Sequence, residues 1–377
     1  MTSIELLVIL LLLAMTVPDA CAWLGRPALA YPAFVCFGLL VGPMLRPEVG
    51  QMVMQAGQIG FVLLLFEVGL EIDLPVWREL KRPGAWALRW LLWQYPVMLA
   101  LARLAGLPWL EAFVAAAALS ACSVGMAHAA WKSYPGLDAT GRDFVLQLMV
   151  LLEVVSIVLL AVETTVLGRA PTWLFGLKLA GMALVIYACS RLAVHVTRLL
   201  QTVMENATQW RLHLVTLFVL ATCAVGERLG LSGPKTAFFL GLFSSRVRHD
   251  DKNLEEYLAP ISRRFLIPLF FLALGTQVPL GALVSRAALL AAVAAALLIA
   301  FRQMLFARMK PAGTDTNAFL LLSPNFTIVA LAAQALLHGS EAGADAGHWL
   351  LLAGLLMTII SLLALPPTRR EAGEPAH

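Results

Sequence analysis

Apolar runs of about 20 residues recur along nearly the whole chain, and they restrict its fold more than any other feature. Thirteen such runs lie between residues 4 and 366, separated by short segments rich in charge, proline and glycine. A helix needs about 20 apolar residues to cross the hydrocarbon layer of a membrane. The ninth run, near 234–246, is shorter and spans the layer only with tilt or local thinning. The pattern predicts an all-α polytopic membrane protein with about 13 transmembrane helices.

The scarcity of charge supports this fold class. Charged residues make up 13% of the 377 residues and hydrophobic residues 60%, whereas a soluble chain carries about 25% charged residues. So little charge cannot cover a water-facing surface, which excludes a soluble enzyme, a nucleic-acid-binding protein and a disordered scaffold. The first run has no basic region before it and no clear cleavage site, so we interpret it as a transmembrane helix, not a signal peptide. We expect residues 1–377 to form one membrane domain without a soluble carboxyl-terminal domain.

The basic residues predict the orientation in the membrane. With the amino terminus outside, roughly seventeen Lys and Arg residues fall in inner loops and the tail. The outer loops then hold five: Arg46, Arg169, Arg228, Lys235 and Arg286. Because cytoplasmic loops carry an excess of Lys and Arg, we predict an N-out/C-in topology. The longest inner loop, 246–264, is interpreted as a solvated connector.

Two ionisable residues lie deep inside apolar runs. Glu153 is about ten residues into the sixth run, between aliphatic neighbours, and Arg302 is late in the eleventh. An ionisable group at this depth costs several kcal/mol, so it indicates a functional site. For Glu67, Arg89 and His195, which lie near helix ends, a structural role is the simpler interpretation. His128 fits either role.

Turn-forming residues interrupt two of the runs. The fifth run contains Ser120, Cys122, Ser123 and Gly125 at its centre, and the twelfth contains Ser323, Pro324, Asn325 and Thr327. Pro324 removes a backbone donor, and broken helices at membrane depth persist only inside protein or beside a wet cavity. A pair of them is typical of a transporter's midplane site. The alternative is a proline kink in one helix and a small-residue packing face in the other. The presence of Glu153 and Arg302 favours the site.

At these residues the chain resembles the monovalent cation/proton antiporter superfamily, in particular its branch of bacterial sodium/proton and potassium-efflux antiporters. The similar segments, in order, are FVCFGLLVGPML, GFVLLLFEVGLEIDLPVWREL, SACSVGM, GERLGLSGPKTAFFLGLFSS and RRFLIPLFFLALGTQVPL. The resemblance covers nearly the whole chain. It implies the sodium/proton antiporter fold, with inverted repeats and two crossed broken helices. The implied transport core lies around 111–167 and 285–337, and the implied scaffold and dimer elements around 1–45 and 172–246.

The resemblance also implies a set of site residues. Glu153 stands where the family has an Asp that binds cation and proton in turn, and Arg302 matches a basic residue that pairs with this Asp in several members. The implied ion- and proton-binding residues are Glu153, Arg302, Ser123, Cys122, Asn325, Thr327 and Ser156, with Gly125, Ser323 and Pro324 at the breaks. Leu152 and Cys122 replace polar family residues. Because hard cations prefer oxygen ligands, these two changes weaken a preformed sodium cage.

The expected function is exchange of a monovalent cation, Na+ or K+, for protons by alternating access. One carboxylate predicts a one-for-one, electroneutral exchange without a cofactor. The resemblance implies a homodimer in the bacterial inner membrane, in contact with the lipid bilayer. One alternative is a degenerate, non-transporting sensor or partner subunit of the same fold. Another is a sodium-coupled organic anion symporter. An intramembrane enzyme is disfavoured because its motifs, such as HExxH and Gly-x-Ser-x-Gly at a span, do not occur.

Overall fold

The computed structural model of this chain is almost entirely helical. It describes residues 3–71, 81–122, 127, 130–131, 134–167, 211–228, 233–244, 248–249, 252–253, 265–337 and 341–367. The helices up to the first break are α1 (Ser3–Trp23), α2 (Ala30–Val41), α3 (Pro47–Glu71), α4 (Lys81–Leu104) and α5 (Trp109–Ser120). Next come α6 (Ala139–Leu167), α7 (Arg211–Arg228), α8 (Gly233–Ser244), α9 (Ile267–Thr276) and α10 (Leu280–Leu283). The last are α11 (Arg286–Met309), α12 (Phe326–Leu337) and α13 (Glu341–Ala364), with a 3-10 helix at Thr316–Leu322 before α12.

This architecture confirms the all-α fold class. The described residues include a small hairpin in the charged loop, in which β1 (Arg248–His249) lies antiparallel to β2 (Lys252–Asn253). Most helices begin and end within a few residues of the apolar runs that predict them. The run near 172–197 lies outside the described residues.

Several helices have the length and composition of membrane spans. Four described stretches are long and apolar enough to cross a membrane: Pro27–Met44, Glu48–Glu67, Arg286–Met309 and Asp345–Ala364. Shorter apolar helices include those at the two breaks. Large apolar side chains such as Leu12, Leu92 and Leu289 are exposed. Outward-facing leucines of this kind are the surface that a helix offers to lipid.

The chain divides into two compact units. The first comprises Met1–Val17, Ala33–Leu74 and Thr172–Gln277, and in it α3 packs against α8 and α9. Its helices approach closely at glycines: a Cβ added at Gly38 would collide with the Leu272 carbonyl oxygen, and one at Gly241 with that of Phe66. Small residues let helix backbones come together where lipid provides no hydrophobic driving force.

The second unit comprises Pro18–Pro32, Pro75–Pro171 and Val278–His377. Within it α5 packs against α4 and α6, while α11 and α12 pack against α13. Both interrupted helices, Glu153 and Arg302 therefore belong to one unit.

Aromatic side chains set the register between the antiparallel helices α4 and α11. The Trp86 indole N–H donates to the Met309 carbonyl at 2.8 Å, at the end of α11. One turn further along α4, the Trp90 ring meets Phe306 edge-on, with centroids 6.0 Å apart. Trp90 and Phe306 are both almost fully buried. The next turn brings position 94 of α4 opposite position 302 of α11.

Two loops at one end of the second unit are joined to each other. Leu137 and Thr314 form an antiparallel bridge, and the Asp315 backbone N–H donates to the Gly136 carbonyl at 2.9 Å. The Tyr134 hydroxyl donates to the Asp315 carboxylate at 2.9 Å. Burial, together with this carboxylate, raises the pKa of Tyr134 above its usual range. The phenol therefore stays a donor at physiological pH and keeps the loop before α6 attached to the loop before the 3-10 helix.

The close approach at Gly38 predicts a sharp difference between two glycine substitutions. Gly38→Ala should lower the free energy of unfolding by about 1–3 kcal/mol, because the methyl group meets backbone that cannot move away. Gly50→Ala on α3 is the control, since an added Cβ there meets nothing within 4 Å. It should leave stability unchanged or raise it by up to about 1 kcal/mol, because alanine is the better helix former. Thermal unfolding of the purified variants in detergent measures both, and equal losses would contradict the packing argument.

Candidate functional site

Both interrupted helices break at residues with extended backbone. Helix α5 ends at Ser120, and Ala121 has φ −60° and ψ 147°. The 3-10 helix ends at Leu322, and Ser323 has φ −62° and ψ 154°. Pro324 accounts for the second break, because a proline disfavours the helical conformation of the residue before it. After this break the chain becomes helical again at Phe326, the first residue of α12.

The two extended segments cross and pair with each other. Cys122 and Pro324 form an antiparallel bridge, and the Asn325 backbone N–H donates to the Ala121 carbonyl at 3.1 Å. The Cys122 thiol donates to the Leu321 carbonyl at 3.4 Å. These residues are buried, so water cannot satisfy their backbone groups. Pairing across the crossing supplies the hydrogen bonds that breaking the helices removed.

Asn325 connects the crossing to Glu153. Its side-chain oxygen accepts from the backbone N–H groups of Thr327 at 3.0 Å and Ile328 at 3.4 Å, which caps α12. This leaves the amide nitrogen to donate to Glu153 Oε1 at 2.5 Å. The Glu153 side chain is 1% exposed. A buried carboxylate therefore lies at the amino-terminal end of a half-helix, where the helix dipole favours negative charge.

Arg302 is 2% exposed. It binds the carboxyl-terminal ends of the two helical elements that stop at the breaks, α5 and the 3-10 helix. Its guanidinium donates to the carbonyl of Leu119 at 2.7 Å, in the last turn of α5, and to that of Leu322 at 3.3 Å, at the end of the 3-10 helix. Carboxyl-terminal helix ends carry partial negative charge, which a cation stabilises. The third hydrogen bond of Arg302 goes to Gln94, not to Glu153. Arg302 therefore supplies donors to carbonyls that the breaks leave without helical partners, and the expected pair with Glu153 is not among these three hydrogen bonds.

Gln94 is a site neighbour that sequence reasoning missed. Its side-chain oxygen accepts from Arg302 Nε at 2.6 Å, and its amide nitrogen donates to the Trp90 carbonyl at 3.3 Å. Gln94 is fully buried. A signal was present, because this glutamine interrupts the apolar stretch WLLWQYPVM. Attention to ionisable residues alone passes over such a neutral polar side chain.

The remaining expected site residues fall into three groups. Ser156 is buried on α6, and its hydroxyl lies 3.3 Å from that of Ser120. Thr327 and Ser323 are buried at the crossing. Ser123 and Gly125 lie outside the described residues, as do His128 and His195.

Two residues that depart from the family pattern have an apolar or weakly polar side chain. Leu152 and Cys122 are both fully buried, and neither side chain carries an oxygen atom that could bind a cation. Of the other ionisable residues considered in the spans, Glu67 on α3 is buried and Arg89 on α4 is exposed. Arg89 therefore does not contribute to the buried site.

The geometry defines a class of protein. A buried carboxylate, a buried guanidinium and two broken helices that cross antiparallel form the kind of midplane centre that membrane transporters use for ions. Comparison with known proteins agrees with this class. The profile of the transmembrane sodium/hydrogen exchanger family matches residues 8–369. The chain belongs to this family, which confirms the resemblance to cation/proton antiporters.

Individual relatives are distant. The chain is 25% identical over 299 residues to a putative Na(+)/H(+) antiporter, YjbQ, of Bacillus subtilis, covering 73% of this chain and 48% of that protein. It is 22% identical over 278 residues to a probable Na(+)/H(+) antiporter, GerT, of Bacillus cereus, covering 72% and 73% respectively. The chain thus spans about half the length of the first of these relatives.

A solved structure shares the fold. The sodium proton antiporter MjNhaP1 of Methanocaldococcus jannaschii superposes with a TM-score of 0.66, covering 96% of this chain and 95% of its own. Sequence identity is 13%. The helical fold is therefore that of a sodium proton antiporter.

The double role of Asn325 predicts a loss of stability when its side chain is removed. Asn325→Ala should lower the free energy of unfolding by about 1–3 kcal/mol, because α12 loses its cap and Glu153 loses a hydrogen bond. Asn317→Ala is the matched control, since the Asn317 side chain is exposed in the 3-10 helix. Thermal unfolding in detergent compares the two. An Asn325→Ala protein as stable as the control variant would contradict the assigned contacts.

Proposed function

We propose that this chain exchanges a monovalent cation, Na+ or K+, for protons by alternating access, with Glu153 as the carboxylate that the two ions share. The observation that carries the proposal is the Glu153 side chain, buried in the second unit and hydrogen-bonded to Asn325 at the crossing. A carboxylate buried at this depth is costly, and such groups in transmembrane helices mark ion pathways. Membership of the sodium/hydrogen exchanger family supports the same activity.

The competition between ions follows from the chemistry of one carboxylate. Glu153 binds the cation when ionised and the proton when neutral, so occupancy by one excludes the other. Asn325 donates to the ionised form, and the amino-terminal end of α12 stabilises its charge. At low pH protons occupy the site and cation uptake slows. Because one positive charge replaces another, the exchange is one for one and electroneutral.

Few side-chain oxygens of the protein surround the proposed cation site. Leu152 and Cys122 contribute none, so the carboxylate of Glu153 is joined by hydroxyls, backbone carbonyls and water. Candidates from the expected set are Ser156 and Thr327, together with Ser123. Hard monovalent cations bind oxygen. The names of the two relatives favour Na+ over K+.

The proposal extends to the surroundings of the protein. We place it in the bacterial inner membrane with the amino terminus outside, on the distribution of basic residues. A homodimer is proposed by resemblance to the family. The transport core lies around 111–167 and 285–337, and the scaffold and dimer elements around 1–45 and 172–246.

One observation favours a second candidate, a non-transporting sensor or partner subunit of the same fold. Leu152 and Cys122 are fully buried and leave the cation with fewer oxygen ligands than the family pattern provides. Against this candidate, the chain retains two buried charges, each with hydrogen-bond partners. Burying charge is costly in a protein that makes no use of it.

Substitution of the carboxylate distinguishes the two functions. In proteoliposomes that report internal pH with a dye, the wild type should exchange Na+ for protons, and Glu153→Gln should reduce the exchange to background. The matched control is Glu48→Gln, because Glu48 is exposed on α3, and it should exchange at the wild-type rate. Parallel runs with K+ measure selectivity. Exchange by folded Glu153→Gln would overturn the carboxylate assignment, and an inactive, folded wild type would favour the sensor.

A further inference from the structure

A buried glutamine meets the buried arginine at a point that the exchange chemistry does not require. Gln94 lies on α4 and Arg302 on α11, and the Arg302 Nε–H donates to Gln94 Oε1 at 2.6 Å. The hydrogen bonds of Gln94 and Arg302 go to each other and to backbone carbonyls. The hydrogen bond between Asn325 and Glu153 is separate from them. Gln94 is therefore linked to the broken helices through Arg302.

The Gln94 side chain has one defined orientation. Its amide nitrogen donates to the Trp90 carbonyl one turn earlier on the same helix, which leaves its oxygen directed at Arg302. Trp90 is itself held by its stacking on Trp86 and by its edge-on contact with Phe306. The acceptor for Arg302 Nε is thus held in place through Trp90, which packs against Trp86 and Phe306.

The three hydrogen bonds of Arg302 define the plane and position of its guanidinium. Nε is held by Gln94, while the two terminal nitrogens reach the carbonyls of Leu119 and Leu322. Two bonds to different backbone segments leave the planar group free to tilt, and the third removes that freedom. A guanidinium has a rigid fork of donors, so fixing one edge positions the others.

The position of Arg302 bears directly on the cation site. Leu322 and Asn325 are three residues apart, so their Cα atoms are at most about 11 Å from each other. Arg302 holds the first of these residues and Glu153 contacts the second. A displacement of the guanidinium shifts the extended segment that carries Asn325, and with it the hydrogen bond to Glu153.

We propose that Gln94 is a positioning residue, which fixes Arg302 on the carbonyl ends of both broken elements and thereby sets the geometry of the cation site. The proposal rests on the proposed function for its transport readout, but the Gln94–Arg302 coupling itself does not. Gln94→Leu removes the acceptor and leaves the arginine charge in place. Gln94→Glu retains an acceptor at the same reach.

The transport test separates positioning from simple loss of folded protein. In proteoliposomes, Gln94→Leu should raise the KM for Na+ roughly tenfold, the size expected when a hydrogen bond to a charged group is lost. Gln94→Glu should raise it less. Gln303→Leu is the matched control, because Gln303 is exposed on α11 next to Arg302, and its KM should equal that of the wild type. An unchanged KM with a lower maximal rate would assign Gln94 a structural role only.

A double-mutant cycle tests the coupling without any transport. Thermal unfolding is measured in detergent for Gln94→Leu, Arg302→Met and the double variant. If Gln94 acts through Arg302, then Gln94→Leu lowers the melting temperature of the wild type but adds nothing to Arg302→Met. If Arg302→Met does not fold, Arg302→Lys takes its place in the cycle. The lysine side chain keeps the positive charge but has a methylene group where arginine has its Nε–H. Equal losses with and without the arginine would overturn the proposal, even if the wild type exchanges no cation.

Discussion

Every backbone hydrogen-bonding group at membrane depth needs a partner inside the protein, and the structure of the second unit depends on this requirement. Two helices that stop in the bilayer release carbonyl and N–H groups with no water to receive them. The chain satisfies some of them by pairing the extended segments at Cys122 and Pro324. Others are satisfied by side chains: Asn325 caps α12, and Arg302 binds the carbonyls at the ends of α5 and the 3-10 helix. The buried polar residues thus have a structural reason to be there before any ion is considered.

The same arrangement places the two buried charges at opposite ends of helical segments. The guanidinium of Arg302 meets the negative ends of the broken elements, whereas Glu153 lies at the positive end of α12. Each charge is stabilised by the backbone first. Arg302 donates to Gln94 and to the carbonyls of Leu119 and Leu322, whereas Glu153 accepts from Asn325.

The helix bounds, the second break and the buried carboxylate could be predicted from the sequence, because each depends on residues that are consecutive in the chain. The apolar runs near 4–23 and 210–229 match α1 and α7 within one residue at each end, because span length and charge at the ends are properties of consecutive residues. Pro324 and the deep position of Glu153 are equally visible in the sequence. The contacts of Arg302 could not be predicted in this way. Its three acceptors come from residues 94, 119 and 322, which only the packing of separate helices brings together.

The sequence by itself determined that this chain is a helical membrane protein with two interrupted helices, a buried carboxylate and a buried arginine, and its motifs indicated the antiporter family. These conclusions follow from composition, run length and the order of short segments. Tertiary structure alone decided which groups satisfy one another: Asn325 with Glu153, and Gln94 with Arg302. The physical reason is that a charge inside the membrane takes whichever donors or acceptors the packing leaves unpaired. Here Arg302 donates to the carbonyls at the ends of α5 and the 3-10 helix, which the breaks leave without helical donors.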